Sequence, residues 1–428
     1  MSRTRSFPRG GVRPPERKSA TASLPIRKAC IPAEALLPLR QHAGEPAACL
    51  VRAGESVAEG LPIGRAEGPL SADVHASIPG VVRQVREIRL PDGTLSPAVH
   101  ITLEGEFSLT GRARQPLDWS SLSRDQLLLR LETAGVVGPD GMPAAARLRA
   151  AGSARLLAVN GVESEPYLTC GQRLLVEKAP EVLSGASIAA FILGTGAVRI
   201  GIEANKPEAL RAATEAASAF GFEVSALEAR YPQEEESLLV WTLTGQRVGG
   251  RPEESGFAVL DVGTLLAIHE AVTQAMPQIE RVVTVAGQAV RRPGNLKARL
   301  GTPVSALLEE CGLREPARVI AGGPMRGFAL DSLDTPLTKG MNGILALSRR
   351  EILPAVRTPC IGCGRCGEAC PWGLRPDELY KWLEQGEAAE ARSHGLEACS
   401  ECGCCAFVCL SRIPLLQGLR AGRRKGGA

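Results

Sequence analysis

CIGCGRCGEACP at residues 360–371 and CSECGCCAFVCL at 399–410 carry one spacing twice. Cys360, Cys363, Cys366 and Cys370 read C-x2-C-x2-C-x3-C, and so do Cys399, Cys402, Cys405 and Cys409. Three thiolates at such close spacing wrap one face of an iron–sulfur cubane, while the fourth, one helical turn on, is aimed at a second cluster. The pattern predicts two [4Fe–4S] clusters with crossed ligation. Cys360, Cys363, Cys366 and Cys409 form the first ligand set; Cys399, Cys402, Cys405 and Cys370 form the second. Structural zinc uses paired C-x2-C knuckles, often with histidine, and would leave thiolates in excess. Disulfides demand an oxidising compartment and usually a small secreted scaffold, and the chain shows neither a signal peptide nor a small domain. Cys404 lies between two ligands and is surplus, while Cys30, Cys49, Cys170 and Cys311 are scattered and read as ordinary thiols. The second copy has Leu410 where the first has Pro371; that position shapes the exit of the chain and supplies no ligand.

Outward from the cysteines, 428 residues suffice for about three or four domains. A hydrophobic share of 44% is ample for buried cores, whereas 4% aromatic residues argue against a nucleic-acid platform built on base stacking. A net charge of +4 is too small to imply a polyanionic partner. The positive charge concentrates in MSRTRSFPRGGVRPPERK (1–18) and RAGRRKGGA (420–428), which read as flexible, solvated flanks, attraction to an anionic membrane surface being the sharper reading. LSGASIAAFILGTGAV (183–198) is too short for a bilayer span and is broken by Gly194 and Gly196. The N-terminus has arginines but no apolar core of a secretory signal. These features predict a cytoplasmic chain whose membrane contact is peripheral or through partners.

The fold class is multidomain α/β plus β. Residues 1–29 form a basic N-terminal segment. From 30 to 107, period-two strands with glycine turns at Gly54, Gly60, Gly80 and Gly93 predict a small β unit resembling a barrel-sandwich hybrid, the fold of lipoyl and biotinyl carriers. Its tip, GPLSAD (68–73), has no lysine, so a docking or structural module is expected. From 122 to 275, strands in LLAVNGVE, VRIGIEA and FEVSALEA alternate with helices in EVLSGASIAAFIL and EALRAATEAASAF, a Rossmann-like order. The loops Asn160–Glu163 and Ala204–Pro207 follow strand ends, where such sheets bind ligands. Residues 278–345 read as a β-grasp unit of the soluble-ligand-binding (SLBB-like) type, with GGPMRG (322–327) as a structural turn. The ferredoxin-like two-cluster module spans 355–420, and 421–428 is a basic tail.

In this order the segments resemble the C subunit of Rnf complexes, the ion-translocating ferredoxin:NAD oxidoreductases of bacterial membranes. The matching stretches are GGVRPPERK (10–18), VHASIPGVV (74–82), NGVESEPYLTC (160–170), NKPEA (205–209), YPQ (231–233), VTVAGQAVRRPGN (283–295) and LGTPVS (300–305), with the cysteine block. Cobalamin reductases of bacterial microcompartments share these modules, but there the barrel-sandwich unit follows the clusters; here it precedes them. The resemblance implies an α/β part like the flavoprotein subunit of respiratory complex I, where flavin mononucleotide (FMN) takes hydride from NADH and releases electrons singly to clusters. By the same resemblance, Glu163 and Glu165 would lie beside flavin and nicotinamide, Asn205 and Lys206 near the pocket, and Gly138 and Gly141 on the phosphate-facing loop. The implied partners are the membrane subunits of an Rnf complex, ferredoxin or another electron carrier, and NADH. The implied place is the cytoplasmic face of the bacterial inner membrane, coupling electron flow to ion translocation.

Three departures bear on the flavin. The family loop G-x-G-G-A-G-F-P is here Gly138-Pro139-Asp140-Gly141-Met142-Pro143; proline removes an amide donor and aspartate repels a phosphate. YPQ is followed by Glu234-Glu235-Glu236 in place of glycine, and a family Asn-Val-Gly-Thr is Asp261-Val262-Gly263-Thr264. Together they predict that the NADH/FMN site is altered or lost while the cluster relay is kept. A soluble flavin/iron–sulfur reductase acting on a corrinoid and a scaffold held together by its clusters are the competing readings. Domain order opposes the first and crossed ligation the second.

Overall fold

The computed structural model describes residues 4–109, 117–352 and 356–424. Residues 1–3 and 425–428 of the basic flanks, and 355 at the start of the expected cluster module, lie outside the described residues.

The barrel-sandwich part pairs a four-stranded sheet, ordered Glu34–Pro38, Leu95–Leu103, Gly80–Arg89 and Ser56–Val57, with a three-stranded one, Ala48–Cys49, Pro62–Arg65 and Val74–His75. Alternate residues Ala35, Leu37, Val99 and Ile101 are wholly buried between the sheets, as period-two strands require. Gly80 is a strand residue, not a turn: a Cβ there would stand 1.9 Å from Thr102 O, so only glycine lets the two strands meet. The tip after Gly68 is tied down, with Ala66 N donating to Asp73 Oδ1 at 2.8 Å and Lys339 Nζ to Asp73 O at 2.8 Å.

The α/β part is a parallel sheet ordered Glu223–Leu227, Val198–Glu203, Leu156–Asn160 and Phe257–Asp261. Its edge strand Phe257–Asp261 is additional to the three expected strands. Asp261 pairs with Asn160 at the carboxyl ends of their strands, so the loops leaving both open on one side of the sheet. The flanking helix Cys170–Leu193 is bent near Lys178, whose φ of −137° leaves the helical range two residues before Pro180. It packs closely on the Val262–Gln274 helix, since a Cβ on Gly185 would lie 1.9 Å from Leu265 O.

A six-stranded sheet ordered Ile26–Lys28, Gly294–Arg299, Glu280–Ala286, Gly343–Leu347, Arg318–Ala321 and Phe328–Ala329 forms the β-grasp part. Its first strand comes from the N-terminal segment, whose first eighteen residues sequence alone reads as flexible. That reading is corrected over the described residues 4–18. Phe7 is buried beneath the Arg230 guanidinium, Val12 exchanges backbone bonds of 2.8 and 2.9 Å with Tyr231, and buried Lys18 donates to Glu163 O at 2.6 Å and Leu168 O at 2.5 Å. The segment's few apolar residues find partners more than 200 residues away, which no local pattern announces.

The cysteine module is an internal repeat of 39 residues, running from Cys360 to Cys399, from the helix start Arg365 to Cys404, and from Pro376 to Leu415. Both copies use left-handed backbone at equivalent places: Gly362 and Glu401, Gly364 and Gly403, Gly373 and Arg412. The C-terminal flank, also expected to be flexible, continues as the helix Leu415–Arg424, burying Leu415, Leu416 and Leu419. Arg420 and Arg423 meet Glu401 at 2.9 and 2.8 Å.

Candidate functional site

A cavity of about 870 Å³ opens at the carboxyl ends of the parallel strands. Its walls come from the turn Gly138–Met142, the loop from Asn160 to Glu165, Glu234–Glu236, the start of the Val262–Gln274 helix and the Gly322–Gly327 turn. Glu401 and Arg420 of the cysteine module close one side. The structure thus brings together strand-end and turn segments that are distant in sequence.

Glu163 accepts from Gly171 N at 2.9 Å and Gln172 N at 3.1 Å, at the first turn of the Cys170–Leu193 helix, where the macrodipole favours a carboxylate. Glu165 accepts from Met325 N at 2.8 Å and Arg326 N at 3.0 Å, so the GGPMRG turn grips a side chain. Its Oε2 is buried without a hydrogen-bond partner among the described residues, and burial pushes its carboxyl pKa up. Glu234 is pushed up to about 7 by burial and then by Glu165. Burial opposes the charge of Arg326, but Tyr231, Glu234 and Glu165 outweigh it and raise the guanidinium's pKa.

Gly138 and Gly141 lie in a turn that spends three of its amides internally. Gly138 N donates to Met142 O, Gly141 N to Gly138 O, both at 3.0 Å, and Met142 N to Asp140 Oδ1 at 3.1 Å. Asp140 also pairs with Arg147, which further meets Glu236 and Glu253 at 2.8 Å each. Burial disfavours the Arg147 charge, yet Glu236 and Asp140 hold its pKa high. Asp261 caps the Val262–Gln274 helix, accepting from Gly263 N at 2.9 Å, Thr264 N at 3.1 Å and the Thr264 hydroxyl.

Asn205 and Lys206, placed near the pocket by resemblance, are not among the residues lining it. Lys206 turns inward, donating to Glu163 O at 2.9 Å and pairing with Glu203, while Asn205 donates to Glu16. They brace the back of the Glu163 loop and the N-terminal segment. Arg147 and Arg326 went unnoticed in the sequence; the one local signal was an arginine inside the alanine-rich run AAARLRAA.

Beyond this wall, Cys370, Cys399, Cys402 and Cys405 line one small buried space together with Cys404. Cys370 comes from the first cysteine run and the others from the second. Among the described residues, no three histidine, cysteine or acidic side chains stand in a metal-ligating arrangement, and no cysteine there is in a disulfide. The donor set nevertheless fits iron–sulfur chemistry. Backbone amides point at the thiols, from Leu374 N to Cys370, Glu401 N to Cys399 and Ile413 N to Cys409, each at 3.4 Å; such bonds stabilise thiolate sulfur. A hydrogen bond with Cys404 holds the Cys402 thiol below its ordinary value, and the same bond pushes the Cys404 thiol up. Cys360 and Cys363, by contrast, are exposed at the surface with Ile361 between them.

Comparison with known proteins matches three regions to family models: RnfC barrel sandwich hybrid domain at residues 6–106, Nuo51 FMN-binding domain at 131–270, and SLBB domain at 282–329. The chain is 38% identical to the C subunit of an ion-translocating oxidoreductase complex of Rhodobacter capsulatus, over 97% of this chain and 82% of that one. It is 36% identical to the C subunit of a proton-translocating ferredoxin:NAD(+) oxidoreductase complex of Clostridium ljungdahlii, over 87% and 83%. A crystal structure of an NAD+-reducing [NiFe]-hydrogenase in the H2-reduced state shares the fold at a TM-score of 0.52 and 19% identity, over 71% of this chain and 62% of that one. With identity and coverage of this extent, the chain belongs to the family of C subunits of ion-translocating oxidoreductase (Rnf) complexes.

Proposed function

We propose that this chain is the peripheral electron-transfer subunit of a membrane-bound Rnf-type complex and relays electrons through two [4Fe–4S] clusters. The observation that carries the reading is the entry of Cys370 into the space lined by Cys399, Cys402 and Cys405, the crossed arrangement that puts two clusters side by side. Bound there, the clusters supply one-electron carriers.

The protein's own part is to hold the thiolates, aim amides at sulfur and grade access to water. The set containing Cys370 is the inner one. Its Cys402 and Cys405 are buried, and its backbone is fastened to the α/β part by Tyr231. The set of Cys360, Cys363, Cys366 and Cys409 is the outer one, with two of its thiols exposed. An electron passed between the sets travels between the protein interior and a surface where a partner docks. The partners proposed are the other Rnf subunits and ferredoxin or another small carrier. No helix among the described residues is long and apolar enough to cross a membrane, which agrees with attachment through partners at the cytoplasmic face of the inner membrane.

Replacing Cys370 tests the arrangement. In anaerobically purified full-length protein, Cys370→Ser should disturb the inner cluster and leave the outer one, lowering iron from about eight to about four per chain. Loss of the outer cluster alone would show that ligation is not crossed.

A further inference from the structure

We propose that the large cavity of this chain excludes phosphate-bearing cofactors, because its own carboxylates occupy the backbone donors that a phosphate would need. A phosphate is held by helix N-termini and by concave turns of amides. The cavity has such places, and at four of them amides are already taken by a side-chain carboxylate or by a carbonyl of the same turn. At the Val262–Gln274 helix, Asp261 takes Gly263 N and Thr264 N at 2.9 and 3.1 Å. In the Gly138–Pro143 turn the two prolines offer no N–H, two amides bond to carbonyls within the turn, and Met142 N bonds to Asp140 at 3.1 Å. Glu163 and Glu165 fill the other two nests.

Two cations of the wall are already committed to carboxylates. Arg147 lies among three carboxylates, Asp140, Glu236 and Glu253. Lys297 is shared between Glu270 at 3.2 Å and Glu280 at 2.9 Å. A phosphate entering the cavity would have to displace an aspartate from its amides and then remain beside it, while the arginine at the turn is already committed to carboxylates. The residues present therefore do not fit FMN, although the region matches a flavin-binding family model. Asp140, Glu234–Glu236 and Asp261 are the positions where this chain departs from the pattern it resembles. Electrons consequently reach the clusters from another redox carrier, and NADH does not deliver them through this cavity.

The test is a fluorescence titration of the cluster-loaded full chain with FMN and, separately, with riboflavin, which has the same ring system and no phosphate. The unaltered chain should show no saturable FMN binding in the micromolar range. The double variant Asp140→Gly, Asp261→Asn should gain FMN affinity by about tenfold or more with riboflavin binding unchanged. Asparagine keeps the helix cap, so Asp261→Asn alone should show part of the gain if the double variant loses its fold. Micromolar FMN binding by the unaltered chain overturns the proposal. So does an absence of gain in variants whose melting curve and cluster absorbance are normal. Cluster absorbance is read in the same samples, so failure of the relay reading is seen separately.

Discussion

The Tyr231 hydroxyl donates to the main-chain carbonyl of Cys402 at 2.5 Å. One residue of the YPQ stretch thereby ties the α/β part to the backbone of Cys402, the middle cysteine of the inner set. Tyr231 is 1% exposed, and its backbone also exchanges bonds with Val12, so three distant segments meet at one residue. Tyr231→Phe leaves the Cys402 carbonyl without its donor and should cost about 1–3 kcal/mol. Anaerobic denaturation followed by cluster absorbance checks this; an unchanged midpoint would show that the bond contributes nothing.

The 39-residue repeat supplies a controlled comparison. Gly364 and Gly403 are equivalent, with φ of +71° and +79°. A Cβ on Gly364 meets nothing within 4 Å, whereas one on Gly403 would lie 2.6 Å from Met325 O. Gly364→Ala should cost only the left-handed backbone penalty, about 1–2 kcal/mol. Gly403→Ala should cost clearly more and loosen the cysteine module from the GGPMRG turn. Equal losses in thermal unfolding would contradict this packing.

Stability should fall on mild acidification. Burial pushes His75 down to about 3 and His42 to about 4, with the charge of Lys339 the next cause for both and Arg40 adding to His42. Both values lie below the ordinary 6.5. As pH drops below that, the unfolded chain takes up protons that the folded chain refuses, and stability declines until the folded values are reached. At pH 5 the loss is on the order of 2 kcal/mol per histidine. Lys339, held down at about 7 by burial, acts in the same sense at higher pH, so stability from this group rises between about 7 and 10.5. Melting temperatures at pH 7 and 5 test the histidine part: His42→Gln and His75→Gln together should flatten the difference, and an unaltered slope would refute it.

The repeat of the cysteine module was legible in the sequence because its spacing is short-range and consecutive residues display it, and the structure brings Cys370 of the first run into one space with Cys399, Cys402 and Cys405 of the second. The loops of the cavity were legible for a related reason: Asn160 and its neighbours follow an apolar strand, and such strand ends gather on one side of a parallel sheet. What stayed hidden depends on long-range contact. Phe7 and Val12 look like residues of a loose basic arm until Tyr231 and Arg230 are seen beside them. Lys206 looks like a pocket cation, yet burial draws it to Glu203 and to the Glu163 carbonyl. The acidic residues at 140 and 261 were visible in the sequence, but only the geometry shows that each carboxylate occupies the amides around it.

Low-temperature electron paramagnetic resonance of dithionite-reduced, anaerobically purified full-length protein, with iron counted in the same sample, tests the central claim most directly. Two reduced [4Fe–4S] centres whose signals are broadened by mutual interaction, with about eight irons per chain, are the expected result. A single isolated centre with about four irons, or no cluster signal, would contradict the relay.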